Sequence, residues 1–126
     1  MSHLSSDEQY ALCKLGYQLY THGKLDDARR IFDGLVALDE DNGYAWHVLG
    51  LIARQRQQIQ RAFDCFQQRL DLEPGAATSR VELAETLYRQ DYVAQAIDVL
   101  RPLGNAPEDD SEAARRGRVL LRKWRG

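Results

Sequence analysis

Much of what would announce a chemistry is missing from this 126-residue sequence. Its two cysteines, Cys13 and Cys65, fall on separate amphipathic segments and make no disulfide framework; free thiols fit a reducing compartment. The three histidines, His3, His22 and His47, are scattered without the spacing of metal ligands. No glycine-rich phosphate loop occurs. No apolar run approaches the ~20 residues that span a bilayer, and the opening Met-Ser-His-Leu-Ser-Ser-Asp-Glu lacks the basic segment and apolar stretch of a signal peptide. These absences predict a cytoplasmic protein with no cofactor, no metal and no membrane insertion.

What is present is ordinary in bulk and unusual in arrangement. A hydrophobic content of 44% with 29% charged residues is that of a folded soluble chain, and 14.4 kDa suits one domain spanning 1–126. The net charge of −2 hides a segregation: residues 1–42 carry −4, 43–76 carry +1, 77–110 carry −4 and 111–126 carry +5. The acidic body would repel phosphates, and no basic groove with interleaved aromatics continues from the tail, so nucleic acid is not an expected partner. A terminal helix also needs a polar exterior to keep the end of a stack soluble, and the basic tail reads as such a solvated outer face.

The organising stretch is 43–76. Trp46, Leu49, Gly50 and Ala53 recur at intervals of three and four and so share one helical face; Ile59, Ala62, Phe66 and Leu70 do the same on a second helix, which Pro74 stops. Gly50 and Ala62 are small where two backbones cross closely. Shifted by 34 residues, the pattern returns without insertion: Gly16, Gly50, Ala84; then Ala28, Ala62, Ala96; then Phe32, Phe66, Leu100. A 34-residue period with Trp-x-x-Leu-Gly, Ala, Phe and Pro at these offsets resembles the tetratricopeptide repeat. The resemblance implies an all-α, right-handed superhelical solenoid of three helical hairpins, at about 9–42, 43–76 and 77–110, plus a C-terminal capping helix at about 111–124.

Local signals refine this. Ser5-Ser6-Asp7-Glu8 supplies N-cap candidates and an acidic first turn for a helix over about 7–22, closed by His22-Gly23. The return helix runs from Lys24 to Asp39, and Glu40 to Gly43 links it to the next hairpin. Gln57 stands where the repeat prefers glycine, which predicts a strained turn. Arg69 takes a position that is usually alanine and predicts a snorkelling side chain. Arg80 replaces the large apolar residue that Trp46 represents. Pro102, without a backbone donor, predicts that its helix ends or kinks near Arg101, leaving 103–107 as a loop. Asp109-Asp110-Ser111 opens the last helix, with Ala113, Gly117, Leu120, Leu121 and Trp124 on one stripe.

In such repeats the resemblance places the second, fifth, ninth, twelfth and thirteenth positions of each first helix on a concave groove. Here these hold Tyr10, Cys13, Tyr17, Tyr20 and Thr21; Tyr44, His47, Leu51, Arg54 and Gln55; and Thr78, Val81, Glu85, Tyr88 and Arg89. Five of the six tyrosines fall in this set. Tyrosine offers a large apolar face, a polar tip and few torsions to order, so the groove suits an extended or partly unfolded protein or peptide client. Cys13 and His47 are the one nucleophile and base pairing; with no third orienting group or oxyanion donor, the protein is not expected to be an enzyme.

The positions at which heat-shock tetratricopeptide domains clamp a terminal carboxylate hold Cys13, Tyr17, Val48, Thr78 and Glu82, so that clamp is absent. The segment from Tyr17 to Phe32, with Gly23-Lys24 and Asp27-Ala28, followed by Leu35, Leu38, Asp39 and Leu49-Gly50-Leu51, resembles the small three-repeat chaperones of bacterial type III secretion systems. That resemblance implies a client that is a secreted translocator, for the translocator-chaperone class, or a needle component, for the export co-chaperone group, and it allows a homodimer. The rival reading is a scaffold or assembly factor that docks a folded partner.

Overall fold

The computed structural model describes residues 4–126, which form seven α-helices and no strand. His3 lies outside the described residues. The chain divides into two compact units, one ending at Gln68 and the other running Arg69–Gly126. The division falls inside a helix, and each unit is taken by itself.

The first unit holds α1 (Ser6–Thr21), α2 (Leu25–Leu38), α3 (Gly43–Gln55) and most of α4 (Ile59–Leu72). α1 starts on a reciprocal cap. Ser5 Oγ accepts from the Glu8 amide at 3.1 Å and Glu8 Oε1 accepts from the Ser5 amide at 2.9 Å, which satisfies two donors that a helix start leaves orphaned. Those bonds hold the Glu8 carboxyl below its ordinary pKa. α3 is capped by Asn42, whose Oδ1 accepts from the Ala45 amide at 3.1 Å. The core joins Ala28, Phe32 and Leu35 of α2 to Ala45, Val48, Leu49 and Ile52 of α3 and Cys65 of α4.

Two close crossings repeat with the 34-residue period. A Cβ on Gly16 would lie 2.6 Å from the Phe32 ring, and one on Gly50 would lie 2.6 Å from the Phe66 ring. Both rings are fully buried. The small residue and the aromatic are one packing device used twice, since either ring reaches its pocket only where the facing helix has no side chain.

The hairpin turns repeat as closely. Lys24 donates to Leu19 O at 2.9 Å, Gln58 to Ala53 O at 2.8 Å and Tyr92 to Leu87 O at 3.0 Å, each bond running from the start of a return helix back into the last turn of the first. This geometry needs a left-handed residue just before the donor. Gly23 supplies it at φ +78°, but Gln57 and Asp91 adopt it at +62° and +66°. The strain expected at Gln57 is present, and Asp91 shares it.

The second unit holds α5 (Ala77–Arg89), α6 (Val93–Gly104) and α7 (Glu112–Arg125). Ser111 caps α7, accepting from the Ala114 amide at 3.1 Å. The core draws Ala77, Val81 and Ala84 from α5, Leu100 and Leu103 from α6, and Ala114 and Leu121 from α7, with Ile97, Leu120 and Trp124 packed on it. Gly117 is the tight point: a Cβ there would lie 2.3 Å from a Leu103 methyl and 3.1 Å from Val81. The seventh helix therefore does cover α5 and α6, as a capping helix must. Arg118 fastens its approach by donating to the carbonyls of Leu103, Ala106 and Asp109.

Pro102 does not end its helix. α6 continues to Gly104, and the loop is 105–111 rather than 103–107. The reason is position: Pro102 falls in the last turn, where a single amide bond is forfeited, while the carbonyls of Arg101 and Pro102 still receive the Asn105 amide at 3.3 and 3.2 Å. Arg80 is likewise better placed than its charge suggests. Its guanidinium donates to Pro74 O at 2.9 Å and Val99 O at 3.0 Å, and burial lowers its pKa. Arg69, with 19% of its side chain exposed, leads its guanidinium out to Glu73 at 3.2 Å, the snorkelling expected of it. Among the described residues no helix is long and apolar enough to cross a membrane.

Candidate functional site

The first unit carries an open depression of about 580 Å³ lined by Tyr10, Cys13, Lys14, Tyr17, Gln18 and Tyr44. Five of these come from α1 at spacings of three and four, so one stripe of the helix builds the wall. Tyr44 comes from the first turn of α3 and is fixed from below, its ring edge-on to the buried Phe32 at 6.1 Å between centroids. Tyr17 is braced laterally by Tyr20, with centroids 5.7 Å apart.

The electrostatics of the site favour neutral groups. Burial, then the proximity of Tyr17 and Cys13, raises the Tyr44 phenol above its ordinary pKa. Burial also raises the Cys13 thiol, partly offset by a hydrogen bond with Asn42, the residue that caps α3. A thiol pushed that way stays protonated, the opposite of an activated nucleophile. The wall thus offers ring faces and a thiol for apolar contact, with phenol hydroxyls, the Gln18 amide and the Lys14 ammonium to meet polar groups.

Of the residues expected in the groove, Tyr10, Cys13, Tyr17 and Tyr44 line this depression, and Tyr20 stands half-buried behind Tyr17. Tyr10 is the most open, at 71% exposure. The other α3 residues are turned into packing. His47 is buried with its ring 5.7 Å from that of Phe66, Leu51 is buried, and the Arg54 guanidinium sits 5.8 Å from the Phe66 centroid. In the second unit α7 lies along the corresponding face of α5. Val81 is buried against Gly117, Glu85 accepts from Arg116 at 2.6 Å, and the Tyr88 ring stacks on Trp124. Lys14 and Gln18 were not anticipated. Their offsets of four and eight from Tyr10 place them on the same stripe, a signal that counting tyrosines passes over.

No family model matches the sequence, and no curated protein matches it. Solved structures do. PcrH from Pseudomonas aeruginosa superposes with a TM-score of 0.86 at 21% identity, over 98% of this chain and 96% of that one. The type III secretion chaperone SycD of Yersinia enterocolitica, in complex with a peptide of the translocator YopD, gives 0.84 at 21% identity over 98% and 97%. A type III secretion complex from Aeromonas hydrophila gives 0.84 at 23% identity over 96% and 83%. The chain therefore has the all-α repeat fold of type III secretion translocator chaperones.

Proposed function

We propose that this protein is a type III secretion chaperone that holds an extended or partly unfolded segment of a secreted translocator against the depression formed by Tyr10, Cys13, Lys14, Tyr17, Gln18 and Tyr44. The observation that carries the reading is that depression: the phenol rings of Tyr44 and Tyr17, set by Phe32 and Tyr20, leave apolar faces open, and burial holds the Tyr44 hydroxyl neutral. Rigid aromatic faces with polar tips bind a chain whose side chains are apolar and whose backbone still needs partners. The fold supports it, since SycD is seen with a peptide of YopD and PcrH with the chaperone-binding regions of PopD and PopB. The reading is of a binding protein rather than an enzyme. It acts in the cytoplasm before export, and a homodimer is compatible with it, as SycD is seen in dimeric form.

The test is titration of a labelled peptide spanning the chaperone-binding region of a type III secretion translocator into the parent and into Tyr17→Ala with Tyr44→Ala. Truncating interface anchors of this kind typically costs about 2 kcal/mol or more, so the double variant should bind more than tenfold more weakly with little change in melting point. Phe32→Ala should instead lower the melting point first. Apolar contact predicts that raised salt leaves binding largely intact. Undiminished binding by the double variant, or loss of binding with salt alone, would overturn the reading.

A further inference from the structure

The outward side of α7 is the most one-sided surface of the described chain. α7 carries six cations against one acid, Glu112 in its first turn, whereas in every other helix the two signs balance to within one charge. Two of the six serve the fold: Arg116 pairs with Glu85, and Arg118 holds the carbonyls of the preceding loop. Arg115 stands only 3.7 Å from the exposed Asp110, a contact of little consequence. Among the described residues Arg122, Lys123 and Arg125 make no ion pair. Like charges three and four apart weaken a helix. The helix dipole favours cations in the last turn, but it disfavours Arg115 near the start. Solubility needs charge, not one sign of it. Val119 sits in the middle of this face, 51% exposed, with Arg115 one turn before it and Arg122 and Lys123 one turn after.

We propose that the outward face of α7, with Val119 at its centre and Arg115, Arg122 and Lys123 around it, docks an acidic protein segment that carries an apolar residue among its carboxylates. An apolar centre within a charged rim is the anatomy of a protein interface. Guanidinium forks match carboxylates in pairs, and five of the six cations are arginine. A membrane surface fits less well, because the apolar side of α7 is already buried in its own unit through Ala114, Gly117 and Leu121 and is not free to insert. Nucleic acid would be repelled by the acidic third repeat of the same unit, residues 77–110, which carry −4. This surface shares no residue with the tyrosine depression.

The experiment uses the full chain and a fluorescein-labelled helical peptide of leucine and glutamate, with leucines at spacings of three and four, followed by anisotropy. Saturable binding is expected, weakened at least tenfold by Arg122→Glu with Lys123→Glu and several-fold by Val119→Ser. Arg122 and Lys123 are exposed and make no ion pair, so melting points should fall only by the small helix-dipole contribution of the last turn. Tyr17→Ala with Tyr44→Ala should leave binding of this probe unchanged, which separates the docking face from the client site. Three results would overturn the proposal: a scrambled peptide of the same composition binding as well with Val119→Ser neutral, phosphatidylserine vesicles outcompeting the peptide, or loss of binding in the tyrosine double variant.

Discussion

The indole of Trp124 lies flat on the phenol of Tyr88, with ring centroids 4.2 Å apart and planes within 8° of parallel. The stack joins the last turn of α7 to the last turn of α5, and Arg116 with Glu85 joins the same helices about two turns earlier in α7 and one turn earlier in α5. Stacked aromatic pairs are worth about 0.5–1.5 kcal/mol beyond the area they bury. Trp124→Ala should therefore destabilise the protein by about 2 kcal/mol, less than for a fully buried tryptophan. A double-mutant cycle with Tyr88→Ala, read by urea denaturation, should return a coupling of about 0.5–1.5 kcal/mol. A coupling near zero would mean that the two rings contribute independently.

Two glycines in similar helical surroundings should respond in opposite directions. Gly50→Ala puts a methyl 2.6 Å from the buried Phe66 ring and should cost about 1–3 kcal/mol, with larger residues worse. Gly34 lies exposed within α2, where an added Cβ meets nothing within 4 Å, so Gly34→Ala should gain about 0.5–1 kcal/mol through helix propensity. Thermal melts of the two variants should straddle the parent.

Gln57 occupies a left-handed turn that Gly23 occupies without strain one repeat earlier. Gln57→Gly should stabilise by about 0.5–1 kcal/mol, the relieved strain exceeding the added flexibility of the unfolded chain. Asp91→Gly should gain less, since aspartate tolerates this conformation better than glutamine. A β-branched residue such as Gln57→Ile should lower the melting point. Equal melting points for the glycine and isoleucine variants would show the turn to be unstrained.

Arg80 is a structural donor in an otherwise apolar position. Arg80→Leu removes the partner of the Pro74 and Val99 carbonyls and should cost about 1–3 kcal/mol. Trp46 makes the corresponding bond one repeat earlier, its indole donating to Glu40 O at 2.8 Å, also six residues upstream. Arg80→Trp should therefore recover part of the loss in chemical denaturation, and recovery no better than leucine would show the equivalence to be accidental.

The sequence by itself determined the helices and their pairing, because those follow from local periods. Intervals of three and four put Gly50 and Phe66 on inward faces, and the 34-residue repeat made Gly16 the equivalent of the one and Phe32 of the other; that each glycine faces the ring of its own hairpin came from the packing. Ser5 with Glu8 and Ser111 marked helix starts through bonds that span only three residues. The tyrosines of α1 were expected in a groove because the resemblance to the repeat implies it. What the period alone could not give was the fate of equivalent positions. Cys13, His47 and Val81 are one position in three repeats, yet the first borders an open depression, the second is buried with its ring against that of Phe66, and the third is buried beneath Gly117. Only tertiary structure decided this, because exposure depends on which helix packs over a face, and α7, lying outside the repeat period, covers α5 through Trp124, Arg116 and Gly117. Pro102 inside α6 and the two carbonyls held by Arg80 belong with it: each is settled by which backbone groups lie within reach after packing, a relation between residues distant in sequence that no local pattern records.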